Sequence, residues 1–378
     1  MEEKILMKTQ NHSDLKIKDI RIFKFDIPLK DIFQIATMSI SNAENVLIQI
    51  RTSEGIEGWG EGASFHALVG ETQLINFAAA KELRELLIGK NRLEISFLIK
   101  EMDNFLPHNT TIKSAFDMAL YDIAAKAAGL PLYLYLGGKK RDIETDLTIG
   151  LYEPEKMVEK ALATKAMGFR MIKVKLGLDF KDDLKRLSSI RKAVGDDVIL
   201  RIDANQGWDR VTAVNSLNAF ADLNIEFCEQ PCRAYDLLGL RYISHQSKIP
   251  VMADESLFSF YDAINLIRED VVPYFNIKFS KSGGIHNAMK IAHIAEAGFR
   301  PCMIGCMSET KLGITAATHF AMSSDIFKFF DLDSFIDHKE DPILGGVEVK
   351  NGILTLPDEP GIGAFPDPDY LKKLEEVK

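Results

Sequence analysis

The stretch 170–284 constrains the fold of this chain more than any other part of the sequence. It contains five short apolar runs, and each run ends in a residue that can do chemistry. These end residues follow one another at intervals of 28, 26, 25 and 24 residues. In chain order they are Lys175, Asp203, Glu229, Asp254 and Lys278. One strand, one helix and two loops need about that many residues in a parallel α/β protein, so the five residues fall at equivalent places on successive strands.

The carboxyl ends of such strands converge when a parallel sheet closes into a barrel, and active sites are built at that mouth. Residues 146–150 supply a first strand, 300–306 a seventh and 327–333 an eighth, with amphipathic helices in the gaps. The pattern therefore predicts an α/β barrel in which three carboxylates meet, with lysines on either side.

The remaining segments predict a second domain. Residues 18–65 alternate in polarity like antiparallel strands, and residues 71–128 have helical periodicity that stops at Gly129 and Pro131. We expect an α+β domain over residues 1–140, completed by the tail 342–378, and a barrel domain over residues 141–341.

Composition excludes several classes of protein. A net charge of −9 without a basic block argues against a nucleic-acid binder. No apolar run reaches the roughly 20 residues that span a bilayer, and the charged first residues lack the core of a signal peptide. We expect a cytoplasmic protein with no nucleic-acid or membrane partner, and a homo-oligomer, since barrels of this kind often assemble symmetrically.

The four cysteines form two Cys-x3-Cys pairs, Cys228/Cys232 and Cys302/Cys306. A zinc site is disfavoured because Cys228 and Glu229 are neighbours on a predicted strand and point to opposite faces. Buried, reduced thiols are the simpler interpretation.

Asp203, Glu229 and Asp254 are three oxygen ligands without a histidine or thiolate among them. That set suits Mg²⁺, which keeps positions open for water or substrate. A single carboxylate of this kind would usually be a salt-bridge partner. Three carboxylates at equivalent strand positions favour the metal.

Lys175 and Lys278 come from opposite sides of this predicted site. A lysine acts as a base when a nearby cation lowers its pKa, and Mg²⁺, Lys173 and Lys281 are candidate cations. One lysine can remove the α-proton of a carboxylate substrate while the metal and Lys173 stabilise the enediolate. A second lysine on the other face can return the proton, which is the requirement for racemisation or epimerisation.

The sequence resembles the enolase superfamily, in the subgroup of muconate-lactonising enzymes. The resemblance runs from about residue 18 to residue 366 and rests on five motifs. They are Lys173-x-Lys175, Asp203-Ala-Asn-Gln-Gly-Trp208, Glu229-Gln-Pro231, Ala253-Asp-Glu-Ser256 and Lys278-x-x-Lys281-Ser-Gly-Gly284. It implies a modified (β/α)7β barrel with an N-terminal α+β capping domain. It also implies that the three carboxylates bind Mg²⁺, that Lys175 and Lys278 are the acid/base pair, and that Asn205, Glu255 and Lys281 support them.

Within that subgroup the eighth strand resembles the dipeptide epimerases. Asp331-Leu-Asp333 matches the Asp-x-Asp with which those enzymes hold the α-ammonium group of the substrate, although such a pair could also cap a helix or lie on the surface. Thr148 falls where they carry a threonine, and the segment around Met307 resembles their seventh strand. The resemblance implies an epimerase of L-Ala-Xaa dipeptides.

One loop departs from the relatives that act on Ala-Glu. They place an arginine in the capping loop, where our alignment puts Met38, and residues 31–44 contain no basic residue. The apolar residues of this loop, which could also pack on their own domain, predict a preference for a hydrophobic C-terminal residue.

Alternatives remain at this point. The substrate could be Ala-Glu, or the enzyme could be an o-succinylbenzoate synthase or an N-acylamino-acid racemase, which share the metal and the lysines. Muconate cycloisomerisation is less favoured, because two acids would repel an anionic substrate. A binding scaffold on a retained barrel is the non-enzymatic alternative.

Overall fold

The computed structural model describes residues 15–377. Its N-terminal part is an antiparallel sheet of order β1-β2-β3 that packs against helices. The strands are β1 Ile17–Gln34, β2 Ser39–Thr52 and β3 Glu57–Ala63. The helices are α1 His66–Val69, α2 Gln73–Leu87, α3 Ile95–Phe105, α4 Thr110–Ala128 and α5 Leu132–Tyr135.

Strand β3 lies unusually close to helix α4 because three glycines face it. A Cβ atom on Gly58 would be 2.2 Å from the Ala119 carbonyl oxygen, and one on Gly60 would be 1.9 Å from that of Ala115. Side chains alternate across a strand, so the residues between these glycines face away from α4. The repeated glycine therefore fixes how the sheet and its helix pack, and which side chains of β3 are turned the other way.

The barrel follows strand β4, Ile143–Glu144. Its eight strands form one sheet in chain order, and every neighbouring pair in it is parallel. They are β5 Leu147–Ile149, β6 Met171–Lys175, β7 Ile199–Asp203, β8 Ile225–Glu229, β9 Val251–Ala253, β10 Tyr274–Ile277, β11 Cys302–Gly305 and β12 Phe327–Asp331. The Asp146 amide donates to the Phe330 carbonyl oxygen at 3.3 Å, which joins the first strand to the last.

Helices connect the first seven strands to the next one. They are α6 Pro154–Ala166, α7 Phe180–Val194, α8 Arg210–Ala219, α9 Leu237–Gln246, α10 Phe260–Arg268, α11 Phe279–Ser282, α12 Ile285–Ala297 and α13 Lys311–Ala321. A 3-10 turn, Ser334–Asp337, follows β12 instead of a helix. The predicted (β/α)7β barrel with a separate antiparallel domain is therefore confirmed.

The tail contains β13 Ile343–Gly345, β14 Glu348–Lys350, β15 Ile353–Thr355, β16 Ala364–Pro366 and the short helix α14 Pro368–Leu371. Strand β15 pairs with β4, whereas the Val377 amide donates to the Ile22 carbonyl oxygen at 2.9 Å. The tail thus contacts both the entry to the barrel and the N-terminal sheet. The exact domain boundaries stay a prediction.

Among residues 15–377, no helix combines the length and the apolar character needed to cross a membrane. All four cysteines are buried and none forms a disulfide.

Candidate active site

Three carboxylates meet at the carboxyl ends of β7, β8 and β9. The parallel register pairs Asp203 with Glu229, and Asp254 directly follows β9. One oxygen from each of the three residues lies within 4.8 Å of the others, and all three side chains are buried. Oxygens that bind one Mg²⁺ from opposite sides at ~2.1 Å are about 4.2 Å apart, so a single ion fits this spacing. The donor set, which is all carboxylate oxygen, fits the same ion.

The neighbouring amides hold the carboxylates in place. Gln230 Oε1 accepts hydrogen bonds from the Asp254 and Ser256 amides at 3.0 and 3.1 Å, which ties the end of β8 to the end of β9. The Asn276 side chain donates to Glu229 Oε1. The Asn205 amide donates to Asp203 Oδ1 at 2.8 Å. These contacts orient the Glu229 and Asp203 carboxylates and hold the backbone at Asp254 before any ligand binds, as precise metal sites require.

Lys175 and Lys278 lie at the two ends of the carboxylate row. Lys175 Nζ is 2.6 Å from Asp203 Oδ2, and Lys278 Nζ is 2.7 Å from Asp254 Oδ2. Both lysines are buried. Burial lowers the pKa of Lys278, but the Asp254 and Glu229 carboxylates outweigh it and hold that pKa above its ordinary value. The arrangement places one amine on each side of the predicted metal site.

Lys281 and Glu255 are two further buried charged residues beside the three carboxylates. Lys281 Nζ is fully buried and donates to the Asp254 and Asn276 carbonyl oxygens at 2.6 and 2.9 Å, and also to the Asp254 carboxylate. Glu255 Oε1 accepts from the Asn205 side chain at 3.3 Å. Burial, together with the Asp254 and Asp203 charges, raises the pKa of Glu255 to about 8. Within residues 15–377 no donor reaches Glu255 Oε2 or Asn205 Oδ1, although both atoms are buried.

A second acidic group lies at the end of β12. Lys173 Nζ forms an ion pair with Asp331 and lies 3.5 Å from Glu229 Oε2. Thr148 connects the two aspartates, since its hydroxyl donates to Asp331 Oδ1 at 3.2 Å and its amide to Asp333 Oδ2 at 2.5 Å. Among residues 15–377, Asp333 forms no ion pair with a lysine, unlike Asp331. Burial and the Asp331 charge raise its pKa to about 7.

The Cys306 thiol donates to Asp333 Oδ1 at 3.6 Å. Cys306, Asp331 and Asp333 are close enough to hold an ion. Burial and the Asp331 charge, however, raise the pKa of Cys306 well above its ordinary value. A neutral thiol that donates a hydrogen bond is a poor metal ligand, because the thiolate is the form that binds metals.

The lysines of the first group and the aspartates of the second line one cavity of about 610 Å³, a volume that includes the open solvent at its mouth, whereas Asp203, Glu229 and Asp254 lie behind this lining. Lys173, Lys175, Lys278, Thr148, Asn205, Asp331 and Asp333 line it. The wall beside β11 consists of Cys306, Met307 and Ser308, which we call the β11 wall. Five residues of the N-terminal domain line the cavity, and we call them the apolar roof: Leu29, Phe33, Ile35, Phe65 and Leu68.

Met38 is not among the residues that line this cavity. Its carbonyl oxygen accepts from the Ile35 amide at 2.9 Å, so it supports the turn that presents Ile35. The cavity also contains Asp337 and His338 from the turn after β12, which the sequence did not single out. Asn276 was overlooked too, although its place two residues before Lys278 on a strand puts both side chains on one face.

Family models match most of this chain. Residues 156–370 match the model described as "Enolase C-terminal domain-like", and residues 17–137 match that of the "Mandelate racemase / muconate lactonizing enzyme, N-terminal domain". A D-Ala-D/L-Ala epimerase of Cytophaga hutchinsonii is 40% identical over 96% of this chain and 99% of its own length. An L-Ala-D/L-Glu epimerase of Clostridium acetobutylicum is 39% identical over 92% of this chain and 98% of its own length.

Solved structures of dipeptide epimerases are also similar to this chain. A dipeptide epimerase from Cytophaga hutchinsonii, complexed with Mg and D-Ala-L-Val, has a TM-score of 0.95 at 40% identity, with 96% of this chain and 99% of that chain covered. A dipeptide epimerase from Enterococcus faecalis, complexed with Mg and L-Leu-L-Tyr, has a TM-score of 0.90 at 39% identity, with 92% and 99% covered. The chain therefore belongs to the family of mandelate racemases and muconate lactonizing enzymes, with its enolase-like C-terminal domain.

Proposed function

We propose that this protein is a Mg²⁺-dependent dipeptide epimerase, an isomerase that inverts the α-carbon of the C-terminal residue of L-Ala-Xaa dipeptides. The observation that carries the proposal is the coexistence of two features in one cavity. One is the pair Lys175 and Lys278 at opposite ends of three carboxylates, and the other is an aspartate, Asp333, that forms no ion pair within the described part of the chain.

Asp203, Glu229 and Asp254 would hold the ion. When bound, Mg²⁺ supplies positive charge beside the substrate carboxylate and lowers the pKa of neighbouring lysines. Lys173 lies between Glu229 and Asp331, where its ammonium group can also bind a substrate carboxylate. The substrate α-carbon would then lie between the two remaining lysines.

Epimerisation needs one base and one acid on opposite faces of the α-carbon. A neutral Lys175 or Lys278 takes the α-proton, and the other lysine, as the ammonium ion, donates a proton to the opposite face. No atoms are gained or lost, and the configuration inverts. Because the two lysines exchange protonation states during turnover, the same site works on both epimers.

The β12 end of the cavity suits an ammonium group. Asp331 already pairs with Lys173, whereas within residues 15–377 Asp333 accepts hydrogen bonds from the uncharged Thr148 amide and Cys306 thiol and forms no ion pair. An incoming α-ammonium group would supply the missing positive charge. An N-acylated amino acid has no such charge, so this end favours a dipeptide over the substrates of an N-acylamino-acid racemase.

The apolar roof supports a preference for a hydrophobic C-terminal residue. Apart from the three lysines already placed around the carboxylate groups, the described residues that line the cavity include no lysine or arginine. The additional carboxylate of Asp337 would repel the side chain of Ala-Glu. Leu29, Phe33 and Ile35 instead offer apolar surface to residues such as valine or leucine.

Deuterium uptake from D2O tests the proposal. The protein is incubated with Mg²⁺ and L-Ala-L-Xaa dipeptides, and mass spectrometry detects a gain of one dalton at the α-carbon. We expect uptake by hydrophobic dipeptides, less by Ala-Glu, and none after chelation of the metal. Equal turnover of Ala-Glu and Ala-Val would refute the side-chain preference, and uptake only by N-acylated amino acids would refute the dipeptide assignment.

A further inference from the structure

Glu61 is a buried carboxylate of the N-terminal sheet that bonds to the barrel. Its Oε1 accepts from the Thr310 amide at 2.9 Å, and its Oε2 accepts from the Thr310 hydroxyl at 2.8 Å and the Gly313 amide at 3.1 Å. These donors belong to the first turn of α13 and the residue before it. Glu61 thus caps a barrel helix from another part of the chain, where a negative charge is stabilised by free amide groups.

Asn45, on the neighbouring strand β2, extends this contact to the β11 wall. Its side-chain amide donates to Glu61 Oε1 at 2.6 Å and to the Ser308 carbonyl oxygen at 2.9 Å. Asn45 and Glu61 are both buried. The segment 308–313 is therefore held at both its ends by two strands of the N-terminal sheet.

The same strand leads directly into the apolar roof. Phe65 and Leu68 follow Glu61 by four and seven residues, just beyond the end of β3. Strand β3 cannot shift toward α4, because its glycines already contact the helix backbone at Gly58 and Gly60. Glu61 and Asn45 together consequently tie the strand that leads to Phe65 and Leu68 of the roof to Ser308 of the β11 wall and to the segment that follows it.

We propose that Glu61 is a positioning residue that sets the spacing between the apolar roof and the β11 wall, and thereby the size of dipeptide side chain that the cavity accepts. The choice of dipeptides as substrates rests on the proposed function. The bonds that Glu61 makes do not depend on it.

The charge state of Glu61 matters because all of its partners are donors. Glutamine has the same shape but carries one amide group, which would face the N–H groups of Thr310 and Gly313 or that of Asn45. Reversal of the Asn45 side chain would not repair this conflict, since its nitrogen also holds Ser308. Glu61→Gln should therefore loosen the segment 308–313 while it leaves the fold of the sheet intact.

Asp117 offers a matched control. It is a buried carboxylate on α4 that accepts from the Ile285 amide at 2.5 Å and the His286 amide at 3.3 Å, and so caps helix α12. Neither Asp117 nor these partners line the cavity. Asp117→Asn should resemble Glu61→Gln in thermal stability without altering the cavity.

Two measurements on the full chain test the proposal. Amide hydrogen exchange followed by mass spectrometry should show at least ~10-fold faster exchange in the peptide 306–314 for Glu61→Gln, but not for Asp117→Asn. The ratio of kcat/KM for Ala-Leu to that for Ala-Ala should change by at least about threefold in Glu61→Gln and stay constant in Asp117→Asn. Thr310→Val, which removes only the hydroxyl donor, replaces Glu61→Gln if that variant does not fold.

Unchanged amide exchange in 306–314 would overturn the positioning role, whatever the wild-type protein turns over. Faster amide exchange with an unchanged kcat/KM ratio would overturn the link to side-chain size and leave Glu61 a structural cap. Failure of the proposed function is seen separately, because the wild-type protein would then take up no deuterium with any dipeptide.

Discussion

Replacement of Asp333 by asparagine isolates the recognition of the substrate ammonium group. Asp333 is buried and accepts from the Thr148 amide at 2.5 Å. Asparagine has the same shape and keeps an oxygen for that amide, but it has no negative charge. Asp331 is a less selective probe, because it is the direct partner of Lys173 and its loss would also disturb the carboxylate end of the site.

The magnitude follows from the type of contact. A hydrogen bond to a charged group contributes about 1.5–3 kcal/mol, and each ~1.4 kcal/mol corresponds to a factor of ten. Asp333→Asn should therefore lower kcat/KM for hydrophobic L-Ala dipeptides roughly 10- to 150-fold, measured from initial rates of deuterium uptake. The inhibition constant of an N-acetylated dipeptide, which lacks the ammonium charge, should change less than about threefold.

The pH dependence provides a second readout. Burial and the neighbouring Asp331 raise the pKa of Asp333 to about 7, so the carboxyl group becomes protonated as the pH falls through that value. An ammonium group binds only to the ionised form, and kcat/KM of the wild-type protein should fall with it. In the variant only the catalytic lysine is left to titrate, so its kcat/KM should fall less steeply at low pH. Full dipeptide turnover by Asp333→Asn at pH 8, or an identical acidic limb in both proteins, would refute the assignment.

Three further changes test other parts of the site and fold. Lys175→Ala and Lys278→Ala should each lower the rate of epimerisation, measured by chiral chromatography, by about 10²- to 10⁴-fold. A variant that keeps a tenth of the wild-type rate would exclude the replaced lysine as acid or base. Ile35→Arg places a cation in the apolar roof and should raise the kcat/KM ratio of Ala-Glu to Ala-Leu about tenfold; an unchanged ratio would contradict the roof's role. Gly60→Ala brings a Cβ within 1.9 Å of the Ala115 carbonyl oxygen. The free energy of unfolding should therefore fall by about 3 kcal/mol or more, and the midpoint of thermal unfolding should fall with it. An unchanged midpoint would contradict the packing argument.

The barrel and its reactive residues could be predicted from the sequence because they depend on local pattern. Each strand is a short apolar run, and its last residue lies at the same edge of the sheet as the last residue of its neighbours. A regular interval along the chain was therefore enough to predict the mouth at which Asp203, Glu229 and Asp254 meet. The fold class is confirmed, and the roles of these residues stay predictions.

The contacts of the segments between regular elements were harder to predict from the sequence. The apolar segment that contains Met38 was expected to be a loop that borders the substrate through that residue, but β1 and β2 extend into it, and the structure turns Leu29, Phe33 and Ile35 toward the cavity. The pairing of β1 with β2 shifts its register between Pro28 and Phe33, and an irregular segment has no fixed period, so the order of its residues does not say which side chains face inward. The polar turn after β12, with Asp337 and His338, was missed for the same reason.

The sequence by itself determined the barrel strands and the set of charged groups at their ends, because a repeating pattern of apolar runs leaves few other ways to bury them, and five motifs at those ends carried the resemblance to the family. Only the tertiary structure decided the shape of the cavity above those groups. The roof comes from β1 and the segment after β3, whereas the wall comes from the end of β11, more than 200 residues away along the chain. Their spacing depends on buried contacts such as Glu61 with Thr310, which no local pattern encodes.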